Sequence, residues 1–386
     1  MISDGFNFIA VLLAIAALIK AAEHYGQWRL FRLLPAVVLL YFVVMLCSTF
    51  GLWQQTAEIN STFRVVRNNL LPAMIFLMLL KSDLRSIVQL GPRMLGAFLV
   101  AVLSIICGFV VSFLLLQSVL DDDAWKTFAA LAGSWMGGTA NMAAVQAALA
   151  IPDSRMGYTL LMDSIDYALW VMLLLALVPH AGRFNRWVGA DGSQLQQLGE
   201  QLEQQQQQQS PLHHTGLLVL LALSLVVSSG SQALAQWLPQ SAFFSATTWS
   251  ILLVTVAGVV AAMTRLGRLG GSVELSQLML YLIIALIASR ADFAEMAKAP
   301  LYVLAGLIVL LVHGAVMVLL ARLFKLDLFT CGVASLANIG GVASAPILAA
   351  AYSRALIPVG VLMAMLGYIV GTAGGLLVGK ILSLLV

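Results

Sequence analysis

Charge is what this chain has least of. Of its 386 residues only 20 are Lys or Arg and 17 are Asp or Glu, a tenth of the chain, where soluble domains carry about a quarter. The net charge of +3 is spread thinly over short segments. That leaves no clustered basic face for nucleic acid. Cysteine is equally sparse. Cys47, Cys107 and Cys331 stand alone inside apolar stretches without C-x-x-C spacing, which favours packing and argues against a disulfide or a metal site. Hydrolytic signatures are missing too: the chain contains no G-x-S-x-G, no H-E-x-x-H and no G-x-G-D segment.

What replaces charge is apolar length. The chain is 61% hydrophobic with a mean hydropathy of +0.98, and runs long enough to cross a core of roughly 30 Å recur from end to end. The expected fold is an all-α polytopic membrane protein with about 11–13 transmembrane segments. Candidate spans are 5–22, 35–52, 67–80, 93–118, 126–150, 157–179, 215–237, 245–264, 274–289, 299–321, 328–351 and 356–385. The first resembles a secretory leader in length only. It has Asp4 and no cation before it, so it reads as a retained span. Residues 181–213, with Gln204 to Gln209, Ser210 and Pro211, read as a hydrophilic linker between a first repeat, 1–180, and a second, 214–386.

The two halves echo one another. At an offset of about 203 residues Gly137, Gly138 and Gly157 fall on Gly340, Gly341 and Gly360, although Ser134 falls on Ala337. Leu80-Lys81-Ser82-Asp83 parallels Ser289-Arg290-Ala291-Asp292, and Pro92 and Pro300 each open the fourth span of a half. Lys20, Arg29 and Arg32, with Lys81, Arg85 and Arg93, place the N-terminus outside the cytoplasm and Asp121 to Asp123 on the same side. Arg265, Arg268, Arg322 and Lys325 in the second half oppose Arg64, Arg67 and the Asp run in the first, which favours inverted repeats. Six crossings per half would not invert, so one segment must be re-entrant, split or miscounted. Tyr25, Trp28, Trp53, Trp125 and Trp187 read as interfacial anchors.

Adjacent glycines at membrane depth are costly in a continuous helix. Their usual reason is a discontinuous helix wrapped around a small-molecule or ion site. The segment Ser134, Trp135, Gly137, Gly138, Thr139 and Asn141, and its counterpart Asn338, Gly340, Gly341 and Ser344 with Pro346, are therefore the candidate substrate-binding residues. Gln146 is a further polar neighbour. Close helix packing through small residues is the competing reading. Asp163 and Asp166, three apart on the span that follows the first break, share one helical face. With Asn141 they are the candidate ion-coupling residues, binding Na⁺ if the protein is sodium-coupled or sharing a proton if it is not. His313 reads as a hydrogen-bonded structural histidine or a proton relay.

At Gly133-Ser-Trp-Met-Gly-Gly-Thr-Ala-Asn141, Ala337-Asn-Ile-Gly-Gly341, Pro358-Val-Gly-Val-Leu-Met363 and Gly367-Tyr-Ile-Val-Gly371 the chain resembles the YjcL-like family of bacterial integral-membrane proteins. That family is placed here in the broad cation:proton antiporter and anion transporter superfamily. The resemblance implies two inverted repeats, each with a discontinuous crossing helix, a place for the coupling ion on the next helix, and a bacterial inner (cytoplasmic) membrane. The second half departs from it, because Gly360 to Gly371 holds no carboxylate.

Together these features favour a secondary active transporter carrying a small organic, anionic solute with Na⁺ or H⁺ by alternating access. Monovalent cation/proton antiport is the alternative, and a non-transporting sensor or scaffold is a third reading. The expected partners are the solute, the lipid bilayer and a second copy of the chain as homodimer. Na⁺ is the one candidate cofactor. An enzyme is not expected, because a Mg²⁺ site built on Asp163 and Asp166 would need a second acidic pair that the other half lacks.

Overall fold

The computed structural model describes residues 1–26, 31, 35–190, 213–241, 244–291 and 297–386. Trp28, Arg29, Arg32, Asp292 and the glutamine run of the linker lie outside the described residues. The described chain is helical from end to end, with one isolated bridge, between Ile2 and Trp53, as its only β pairing. It is an all-α membrane protein. Six of its helical stretches are long and apolar enough to span a bilayer, and five shorter apolar helices accompany them.

The first half comprises α1 (Gly5–Gly26), α2 (Ala36–Thr49), α3 (Ala57–Leu79), α4 (Gly91–Leu116), α5 (Ala124–Gly137), α6 (Thr139–Ala148), α7 (Met156–Leu177) and α8 (Ala181–Val188). The second comprises α9 (His214–Ala235), α10 (Ala246–Ala262), α11 (Ser272–Ala288), α12 (Ala299–Phe324), α13 (Leu328–Ile339), α14 (Gly341–Tyr352) and α15 (Ile357–Leu382). Helix starts follow local chemistry. Thr56, Ser245 and Asp327 accept from the amides of Ile59, Thr248 and Thr330, and a proline sits in the first turn of α4, α12 and α15. Ala181–Val188, which the sequence assigns to the hydrophilic linker, is helical and buries Val188.

Each segment carrying a glycine pair is two helices lying side by side. Gly138, at φ +88° and ψ 171°, turns the chain between α5 and α6. A methyl added at Gly133 would meet Val145 Cγ2 at 2.9 Å and the Asn141 carbonyl oxygen at 3.1 Å. A straight helix would put residues 133 and 145 roughly 18 Å apart at 1.5 Å per residue. Gly341, at φ +57°, opens α14 at the second turn, and a methyl at Gly332 would sit 3.0 Å from Leu348 Cδ2. Both positions need backbone that L side chains rarely adopt. The first hairpin lies along α15, where Gly367, Gly371, Gly375 and Gly379 recur every four residues. A methyl at Gly375 would stand 2.8 Å from both the Ala129 carbonyl oxygen and Val145 Cγ2, and one at Gly371 2.6 Å from Gly137 Cα.

Two hydrophobic cores result. One gathers α4, α5, α7, α12, α13 and α15 around Phe109, Phe128, Trp135, Tyr158 and Tyr302; the other gathers α1, α2, α3, α10 and α11 with the inner face of α6. Helices α4 and α12 run antiparallel, and so do α3 and α11. Between α4 and α12, Ser104 pairs with His313, a methyl at Gly108 would meet the Val309 carbonyl, and Ser112 donates to the Ala305 carbonyl. Across α3 and α11, Arg290 donates to Asn60 near one end, and Lys81 donates to the Leu269 carbonyl at the other. Trp53 is buried, against Phe8 and the Ser289 carbonyl, and is no interfacial anchor. Tyr25 and Trp187 are exposed.

Candidate functional site

The two hairpin tips meet in one cavity of 410 Å³ at the junction of the two cores. Gly137, Gly138, Thr139 and Ala140 line it from the first tip, and Gly340, Gly341, Val342 and Ala343 from the second. The opposite wall comes from Met74 and Met78 of α3, Ser276 and Gln277 of α11, and Lys81. Tyr368 and Met365 of α15 complete it. The volume suits a small organic molecule.

Helix ends of both signs reach this cavity: α5 and α13 finish at its lining residues Gly137 and Gly340, and α6 and α14 begin there. Thr139 and Ala140 open α6, and Gly341, Val342 and Ala343 open α14, so these two helices present unpaired first-turn amides at the tips. Formal charge tips the balance: Lys81 lines the cavity, with Nζ held by the carbonyls of Gly267 (3.3 Å) and Leu269 (3.0 Å). Among the described residues no carboxylate lines it. Lys81 and Gln277 are additions to the sequence reading. The signal for Lys81 was its place at the end of the third span, which reads equally as an interfacial anchor.

The other candidate residues separate into two groups. Asn141 braces the first hairpin, donating to the Gly137 carbonyl at 2.6 Å and accepting from Thr372 at 2.5 Å, whereas Asn338 donates within its own helix, to the Ala334 carbonyl at 2.9 Å, and its Oδ1 has no partner among the described residues. Ser344 is buried beside Gly340, facing the second turn. Gln146 binds the Asp153 carboxylate at 2.7 Å and does not line the cavity.

Ser134, Trp135, Asp163 and Asp166 form a separate centre behind the first hairpin. Ser134 Oγ and Trp135 Nε1 donate to the Asp163 carboxylate at 3.1 and 2.9 Å, fastening α7 to the stem of α5. Asp166 is completely buried against Gly306 of α12, and neither of its oxygens has a hydrogen-bond partner among the described residues. An ionised carboxylate left that way at membrane depth costs several kcal/mol. Among the described residues no three His, Cys, Asp or Glu side chains gather as a metal site, so a cation here would complete its shell with hydroxyl and carbonyl oxygens.

His313 is fully hydrogen-bonded. Ser104 gives its proton to the Ala101 carbonyl and so accepts from Nδ1 of His313, while Nε2 lies 2.8 Å from the Ser335 hydroxyl, which accepts from Trp170.

A multi-helical membrane protein with a cavity between two helical cores is the class that fold and site define. Residues 10–385 match the family model described as "Protein of unknown function (DUF819)", and the chain belongs to that family. It is also similar to the uncharacterized membrane protein YjcL of Bacillus subtilis (strain 168), at 25% identity over 389 residues, covering 97% of this chain and 95% of the relative.

Proposed function

We propose that this protein is a secondary active transporter that carries a small organic anion, coupled to Na⁺ or H⁺, by alternating access. The observation that carries this reading is Lys81 beside the first-turn amides of two helices in one cavity that, among the described residues, no carboxylate lines. A cation/proton antiporter would place acidic groups where the tips meet. The carboxylates lie behind the tips instead, in a place suited to coupling.

The architecture we propose is a pair of inverted repeats. If α5 with α6, and α13 with α14, are re-entrant hairpins, then α1, α2, α3, α4 and α7 cross in the first half and α9, α10, α11, α12 and α15 in the second, an odd number in each. The antiparallel pairing of α4 with α12 supports that count. This differs from the crossing discontinuous helices of the antiporter and anion transporter superfamily, so what carries over is alternating access and an acidic helix after the first break. With the cationic ends of α3, α10 and α12 in the cytoplasm, both termini lie outside a bacterial cytoplasmic membrane and the cavity faces inward.

Asp166 would hold the coupling ion or proton, since its burial without a partner demands one. Binding there would set the contact of α7 with α12 and, through Asp163, Ser134 and Trp135, the stem of the first hairpin. We propose no catalytic role. The test is uptake of a panel of radiolabelled organic acids by the purified protein in proteoliposomes under imposed Na⁺ or pH gradients. Gradient-driven accumulation of one acid establishes the reading; cation flux alone, with none of the acids bound or moved, would transfer it to the antiporter.

A further inference from the structure

We propose that the groove between α7, α12 and α13 is a binding site for an anionic phospholipid, whose acyl chain fills the groove and whose phosphate rests on Arg183 and His180. The groove is a cavity of 620 Å³ remote from the hairpin tips. Leu173, Leu174, Leu310 and Leu311 form its walls and Trp170 its floor. Among the described residues no acidic side chain lines it. Its mouth is made by α8, with Arg183, Phe184 and Trp187, and by His180 just before it.

The rim is built rather than incidental. Asn185 Oδ1 accepts from the amide of Leu328 at 2.9 Å, Arg322 donates to the Trp187 carbonyl and sits 5.6 Å over its ring, and Val188 is buried in the core. These ties fix α8 across the end of the groove, with an exposed arginine beside an apolar chamber. That arrangement matches an amphiphile with a negative head and an apolar tail, which is what an anionic lipid supplies at the edge of a bilayer. A neutral lipid would gain the groove without the arginine, and a soluble anion the arginine without the groove. The floor touches Ser335 and Trp170, so an acyl chain there would also prop the stem of the second hairpin.

Native mass spectrometry of the delipidated full chain, offered phosphatidylglycerol and phosphatidylcholine with identical acyl chains, tests the assignment. The expected result is one retained phosphatidylglycerol, preferred over phosphatidylcholine. R183Q should lower phosphatidylglycerol affinity by about fivefold while leaving phosphatidylcholine unchanged. A315W, a bulky residue placed in the groove wall, should lower retention of both, with a melting temperature that shows each variant folded. Equal retention of the two lipids by the natural protein, retention of neither, or phosphatidylglycerol binding unmoved by both R183Q and A315W would overturn it.

Discussion

At the scale of single residues, a half-buried lysine and a buried histidine differ in what their partners leave free. Lys81 spends two of its three donors on the carbonyls of Gly267 and Leu269 and keeps one for the cavity. A charge-assisted bond to a carboxylate contributes about 1.5–3 kcal/mol. Lys81→Met should therefore raise the KM for an anionic solute by about tenfold or more, with Lys81→Arg milder; uptake kinetics in proteoliposomes measure both, and an unchanged KM would remove Lys81 from the site. His313 has no spare bond to give. Ser104→Ala strands its Nδ1 proton in the core and should cost about 1–3 kcal/mol of stability, read as a lower melting temperature in detergent, with the pH profile of uptake unaltered. A moved pH profile would restore His313 as a relay. Asp166→Asn is the converse case: it keeps shape and removes the ionisable group, so it should abolish gradient coupling while leaving melting temperature and solute binding in place.

At the scale of elements, the hairpins depend on what lies beneath them. The glycines of α15 bring its backbone against Ala129, Gly133 and Gly137, so a side chain at Gly375 must push the first hairpin outward. Gly375→Leu should lose solute binding together with about 1–3 kcal/mol of stability, the range for overpacking a close contact; thermal shift with and without solute separates the two losses. The glycine pairs marked both breaks in the sequence, because paired glycine is expensive in a helix. They could not mark direction, since the same residues permit a chain to continue across the bilayer or fold back. The four-residue repeat of Gly367, Gly371, Gly375 and Gly379 was the legible hint that a close neighbour lay alongside. Helix α8 was missed for a related reason: Phe184, Trp187 and Val188 form a short apolar stripe that the polar composition of the adjoining linker obscures.

At the scale of the whole molecule, the apolar helices were legible because they rest on local apolar length. The division of polar residues between cavity and interior was not, because it depends on which helices come to face each other. The cavity lies at the end where α3 gives way to Lys81 and α11 begins, while at the opposite end the segment before α7 is tied to α2, α3 and the first hairpin. Tyr41 donates to the Asp153 carbonyl at 3.1 Å, Arg67 lies 3.8 Å from the same residue's carboxylate, and Gln146 bonds that carboxylate from the first hairpin. Tyr41 stands on α2 and Arg67 on α3, whereas Asp153 precedes α7, whose Tyr158, Met162 and Leu174 pack in the first core. The alternating access proposed above requires this contact to open when the cavity beside Lys81 closes. Asp153→Asn leaves the backbone bond to Tyr41 and removes the carboxylate charge, weakening the contact by an amount on the order of 1 kcal/mol. The population should then shift toward the outward-open state by roughly fivefold. Labelling of a cysteine placed at Thr139 by a membrane-impermeant thiol reagent reads that shift directly, from the side of the membrane facing Asp153. Faster labelling from that side, with slower labelling from the Lys81 side, is the expected pair of results. An equal change on both sides would mean that the contact holds the fold together and does not gate the cavity.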